Sequence, residues 1–211
     1  MSKVKKESFF WTSYSDLMTS LFFVMLVLFV LVVVLLHNKM VDIRRERDET
    51  KMKLEQILEI EESVKNIDKN YFEYNADFKR HTLKKINVSF KTYSSNIYDI
   101  PANQRGKLLE AGRSIRTFVN NAVEKNPDVK YLLIVEGQAS KDDYNRNYEL
   151  SYERALALVN YWKSNGLNFN AHKCEIIISG SGTESPFRIQ NNESANQRFV
   201  IHIIPKIGEI K

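Results

Sequence analysis

An aspartate stands at the edge of the most apolar stretch of this chain. Asp16 follows Phe10-Trp11-Thr12-Ser13-Tyr14-Ser15 and precedes Leu17-Met18-Thr19-Ser20, after which sixteen apolar residues run unbroken from Leu21 to Leu36. On a helix, residues three and four positions away share a face. Thr12, Ser13, Thr19 and Ser20 therefore line up with Asp16, while Phe10, Trp11, Tyr14, Leu17, Met18, Leu21 and Phe22 cover the other sides. An ionised aspartate at the centre of a membrane helix costs about 2.5–3.5 kcal/mol. Hydroxyls alone do not offset that in lipid, so the stripe is expected to face other protein or a wet cavity. There the carboxyl can take up and release an ion, and one charge crossing the membrane gains about 2.3 kcal/mol per 100 mV. The plainer reading leaves Asp16 among headgroups and water, with Trp11 and Tyr14 as interfacial anchors.

The element that must position Asp16 is a membrane helix. Leu17 to Leu36, interrupted only by Thr19 and Ser20, has the roughly 20 residues that span a ~30 Å hydrocarbon core. A cleaved signal peptide has a shorter apolar run and a small-residue cleavage site; here His37-Asn38-Lys39-Met40 follows. A soluble core helix would show a polar face. Basic residues flank both ends, with Lys3, Lys5 and Lys6 before and Lys39, Arg44, Arg45 and Arg47 after, so charge alone does not orient the span. The net charge of +5 is dispersed, with no basic stripe interleaved with aromatics, which argues against nucleic acid as a partner. The single cysteine, Cys174, lies in an apolar run and reads as a buried, inert thiol.

Four segments follow: a short basic tail over 1–8, a membrane helix over 9–36, a helical linker over 37–82, and a globular domain over 83–211. The linker is rich in Glu, Lys and Arg near its start and lacks Gly and Pro, which favours helix. Ile57, Ile60, Val64 and Ile67 form a short heptad-like stripe there. It is read as a candidate pairing seam between two copies, or else a face packed on the domain. In the domain, alternation at Ile86, Val88 and Phe90 predicts a strand, and Leu108, Ala111, Ile115, Phe118, Val119 and Ala122 predict a helix. Leu132–Val135 predicts a second strand, Leu150, Arg154, Ala155, Leu158 and Trp162 a second helix, and 175–178 and 199–204 the last two strands. The expected class is α/β (α+β) with βαβαββ order.

Two stretches together resemble a known family. Residues 10–19, Phe-Trp-Thr-Ser-Tyr-Ser-Asp-Leu-Met-Thr, are similar to the start of the transmembrane helix in MotB-type stator subunits. Residues 132–204 resemble the OmpA-like peptidoglycan-binding domain. The matching pieces are Val135-Glu136-Gly137, Asn147-x-x-Leu150-Ser151-x-x-Arg154-Ala155, Gly180-x-Gly182-x-Glu184-x-Pro186 and Glu193-Ser194-Ala195-Asn196-x-Arg198. The resemblance implies a homodimer passing through a ring of a MotA-like membrane partner, usually five copies. Asp16 would carry the ion, and Thr12, Ser13, Thr19 and Ser20 would line its path. It further implies a bacterial inner-membrane, single-pass location, with the N-terminus cytoplasmic and the C-terminal domain periplasmic and bound to peptidoglycan. No cofactor is implied beyond the translocated ion, H+ or Na+. For the wall site the family pairs an Asp with an Arg to clasp the zwitterionic end of a stem peptide. Arg154 matches that Arg, and Asn147, Leu150 and Arg198 match supporting positions. The Asp is not matched: Ser140 stands in Gly137-Gln138-Ala139-Ser140, with Asp142 and Asp143 nearby.

Flagellar stators and Zorya anti-phage defence motors share this architecture. The short N-terminal tail and the absence of small or polar residues over 22–36 tip the reading toward a defence motor of the ZorA–ZorB type. The alternative is a passive tether from inner membrane to wall. An enzyme is disfavoured: no phosphate-binding loop or metal-ligand spacing occurs, and His37, His81, His172 and His202 are scattered.

Overall fold

A computed structural model describes residues 3–186 and 188–206, with side chains from Phe10 onward. The residues expected as an N-terminal tail therefore lie, in their side chains, outside the described ones. The chain divides into two compact units, the first ending at Glu55 and the second beginning at Gln56. Helix α1 (Lys3–Lys65) supplies the first unit and, with its last turns, the start of the second.

In the first unit every side chain from Phe10 to Glu55 is exposed. Its apolar window is long enough to cross a membrane and none of it is buried. Beyond that window the helix is supported by Arg45–Glu49 and Lys51–Glu55 ion pairs at i,i+4, each worth only a few tenths of a kcal/mol (~0.3–0.5).

The second unit is a mixed α/β domain. Its strands are β1 (Phe72–Asn75), β2 (Arg80–Leu83), β3 (Lys130–Gly137), β4 (Cys174–Gly180) and β5 (Phe199–Lys206). They form one five-stranded sheet in the order β1-β2-β5-β3-β4. β3 and β4 are parallel and the other pairs antiparallel. Parallel neighbours need a crossover, and α3 (Asn147–Ser164) supplies it. α2 (Ala102–Lys125) precedes β3. Tyr131, Leu133 and Val135 of β3 point into a core shared with Leu108, Ala111, Ile115 and Val119 of α2 and Ala155, Leu158 and Trp162 of α3. The helices meet where Trp162 Nε1 donates to Leu108 O at 2.9 Å. Gly112 makes room for that indole, since a Cβ there would lie 2.7 Å from the ring.

The linker differs from its sequence reading. Helix ends at Lys65, and residues 72–83 form the β1–β2 hairpin at one sheet edge. Ile60, Val64 and Ile67 are buried in this chain's own core, and Val64 O bonds His81 Nε2 at 3.0 Å. That stripe is thus a packing face, not a seam between copies. The strand expected at Ile86, Val88 and Phe90 does not form. Val88 and Phe90 are buried, but the Phe90 and Asn87 amides donate to the Gln197 and Gln104 side chains instead of to a neighbouring strand. Cys174 is buried, and burial pushes its thiol up to about 11.

Candidate functional site

Two places carry the residues singled out from the sequence, one in each unit. Asp16 lies on α1, in its N-terminal quarter, on an exposed face. Thr12, Ser13, Thr19 and Ser20 follow the same helical spacing, so the stripe exists as a geometric feature. Thr19 Oγ1 donates to Ser15 O at 2.8 Å, which directs its proton into the helix and leaves its lone pairs outward. Trp11 sits edge-on to Tyr14 at 6.3 Å between ring centres.

The second place forms where α3 docks on the carboxyl ends of β3 and β4. The docking is close because two glycines permit it. A Cβ on Gly137 would lie 2.0 Å from Ser151 O, and one on Gly180 would lie 2.4 Å from the Tyr152 nitrogen. Ser151 Oγ then accepts from the Gly182 amide at 2.9 Å, and Gly182 adopts the left-handed φ of 53° beneath the Tyr148 ring. The glycines and Ser151 of the sequence motifs are thus the contacts that press the first turns of α3 onto the sheet.

This docking buries Arg154, which retains only 2% of its surface. Its Nε donates to Ser94 O at 3.0 Å, and its guanidinium carbon lies 4.6 Å from the centre of the Phe90 ring. Among the described residues it forms no ion pair. Burial lowers its pKa to about 10, while Asp142 and Asp99 act in the other direction from a distance. A buried cation whose terminal nitrogens find no carboxylate is costly, and such a group is a ready receptor for an incoming anion.

Asn147 lies seven residues before Arg154 on the same face of α3, about 10.5 Å along the axis at ~1.5 Å per residue. Its Nδ2 donates to Asp142 Oδ1 at 2.9 Å and to Tyr144 O at 2.8 Å. Its Oδ1 is buried without a partner. A buried guanidinium without a carboxylate and an unpaired amide oxygen thus stand on one helix face, and Asp142 accepts from the Nδ2 of the same Asn147. Ser140 is turned elsewhere: its Oγ accepts from Gln197 Nε2 at 2.9 Å. Leu150 is buried and adds apolar wall.

Arg198 belongs to a different group. Its Nε donates to Gln138 Oε1 at 2.9 Å, and Gln138 Nε2 donates to Ser185 Oγ at 2.6 Å. Glu136 Oε2 receives Arg80 at 3.1 Å and His202 at 3.0 Å. Burial pushes the Glu136 carboxyl up, yet hydrogen bonds from His202, Ser181 and Gln138 and the charge of Arg80 hold it below its ordinary range. This cluster ties β2, β3 and β5 together. Sequence reading placed Arg80 in a linker and found no partner for His202, because the residues lie 56 and 66 positions from Glu136. Asp99, Ser94 and Phe90 around Arg154 were missed for the same reason.

No family model matches this chain, and no curated protein matches it. Among solved structures it is similar to the OmpA-like domain of FopA1 from Francisella tularensis, at 20% identity over 64% of this chain and 77% of the other, with a TM-score of 0.39. It is also similar to a putative MotB-like protein from Desulfovibrio vulgaris, at 12% identity over 74% and 96% with a TM-score of 0.38. The periplasmic domain of Helicobacter pylori MotB matches at 14% over 64% and 87%, with a TM-score of 0.38.

Proposed function

We propose that this chain is the wall-anchored membrane subunit of an ion-driven motor, single-pass in a bacterial inner membrane with its C-terminal domain in the periplasm. Two copies pass through a ring of a MotA-like partner, five per pair. Asp16 carries the ion, lined by Thr12, Ser13, Thr19 and Ser20, and the Arg154 site holds the pair to peptidoglycan. The observation that carries the reading is Asp16 itself: a carboxylate with hydroxyls on its own face, on an apolar helix open along its length for other protein to pack on. The wall site is supported by the buried Arg154 guanidinium, which has no carboxylate partner among the described residues, and by the unpaired Asn147 Oδ1 on the same helix face. They suit the carboxylate and the ammonium of an amino-acid zwitterion, with Asp142 supplying the charge that Ser140 lacks. The driven process is taken as anti-phage defence in preference to swimming, on the sequence features of the span.

Asp16→Asn tests the motor. It removes the ionisable group at constant shape, so ion flux and function are lost while expression and assembly stay near wild type. Co-purification with the neighbouring membrane gene product and subunit counting should give five to two, and phage plating beside swimming assigns the role. Retained flux in Asp16→Asn overturns the motor and leaves a passive tether. That second reading draws on Thr19, whose hydroxyl proton is spent inside its own helix.

A further inference from the structure

Arg154 is placed to receive an anion and is at the same time shut away. The segment that shuts it in is residues 90–99, which crosses α3 between Phe90 and the short helical turn Ile97–Asp99. Phe90 covers the guanidinium face and Ser94 O takes Nε. Ser95 Oγ donates to Glu153 Oε2 at 3.1 Å, one residue before Arg154. At its far end Asp99 accepts from the Lys91 amide at 3.3 Å, closing the segment on itself. On the opposite side stands the 138–146 loop, held by Lys141 N to Glu193 Oε2 at 2.8 Å and Asn147 Nδ2 to Tyr144 O at 2.8 Å.

A side-chain contact between described residues joins the two. Tyr93 and Tyr144 stack with ring centres 4.4 Å apart and planes 26° apart. Tyr93 holds a left-handed φ of 57° and is 57% exposed. A tyrosine in that backbone region is disfavoured, and a largely solvated ring gains little from burial. Its stack on Tyr144 is the compensating contact.

We propose that the Tyr93–Tyr144 stack is a latch that holds residues 90–96 over Arg154 and must part before an anionic group reaches the guanidinium. This rests on the wall-binding reading for the identity of the anion, a stem-peptide carboxylate, but not for the existence of the latch. Closed, the latch hides the cation from stray anions. Open, it exposes the terminal nitrogens and frees Ser94 O. Ligand affinity is then reduced by the fraction of closed molecules, and loosening the stack raises it.

The test is reaction of the full chain in detergent micelles with p-hydroxyphenylglyoxal, a dicarbonyl that modifies accessible guanidinium groups, followed residue by residue by peptide mass spectrometry. Arg45, whose side chain is 81% exposed, is the internal reference. Arg154 in the wild type is expected to react far more slowly than Arg45. Tyr144→Ala should speed Arg154 about three- to tenfold, the factor one aromatic contact commands, with Arg45 unchanged, while Tyr144→Phe, which keeps the ring, should not. An unchanged Arg154 rate in a folded Tyr144→Ala overturns the latch, as does a wild-type Arg154 that reacts as fast as Arg45. The same proteins are then given a muramyl tripeptide ending in meso-diaminopimelate. Faster and tighter binding by Tyr144→Ala supports both proposals. Faster dicarbonyl reaction with no peptide binding by any variant keeps the latch and removes the wall-binding reading. Weaker peptide binding by Tyr144→Ala overturns the latch in favour of rings that touch the ligand.

Discussion

Acidification should destabilise the domain through one histidine. His81 retains 1% of its surface, donates Nε2 to Val64 O, and has a buried Nδ1 without a partner. Burial lowers its pKa from 6.5 to about 4, the Val64 carbonyl opposes this, and the neighbouring His202 adds to the lowering. The unfolded chain therefore takes up a proton near pH 6.5 that the folded chain refuses until near pH 4. The stabilisation is fully present above pH 6.5 and is lost as pH falls through that window. At about 1.36 kcal/mol per tenfold difference in proton affinity, the loss is about 2 kcal/mol by pH 5 and about 3 kcal/mol in full. Urea denaturation of the detergent-solubilised chain, followed by Trp162 fluorescence at pH 7, 6 and 5, measures it. His81→Phe loses the Val64 bond and starts less stable, but its stability should fall about 2 kcal/mol less between pH 7 and 5. The carboxylates held below their ordinary range, Glu136, Asp99 and Glu193, lose their contributions only at lower pH, so they do not mimic the effect. Equal pH dependence in the wild type and His81→Phe would refute the argument, since the proton uptake would then lie elsewhere.

Other substitutions probe the remaining links. Gly137→Ala drives a methyl into Ser151 O and should cost about 3 kcal/mol or more by the same denaturation assay, because both partners are backbone. Arg154→Met removes a buried charge while keeping most of the volume. It should leave stability unchanged or raise it by about 1 kcal/mol and abolish pulldown on peptidoglycan sacculi; undiminished pulldown removes Arg154 from the wall site.

The amino-acid order alone settled whatever depends on near neighbours. The apolar run from Leu21 to Leu36 makes a long helix because it has no polar face to offer water. The hydroxyls around Asp16 fall on one stripe because helical spacing puts them there. α2, α3 and the central strands were legible for the same reason, their periodicities being local. Only tertiary structure decided which distant groups meet. Ile60, Val64 and Ile67 carry the same spacing whether they face a second copy or their own sheet, and a core within reach of the same chain captured them. The β1–β2 hairpin has strands of four residues each, too short for alternation to declare itself, and exists because β5 offers an edge. Arg154 was singled out from sequence by its place in a motif, but its surroundings were not. Its burial beneath Ser94 and Phe90 comes from a segment some sixty positions away in sequence, and two glycines let the α3 that carries it settle onto the sheet.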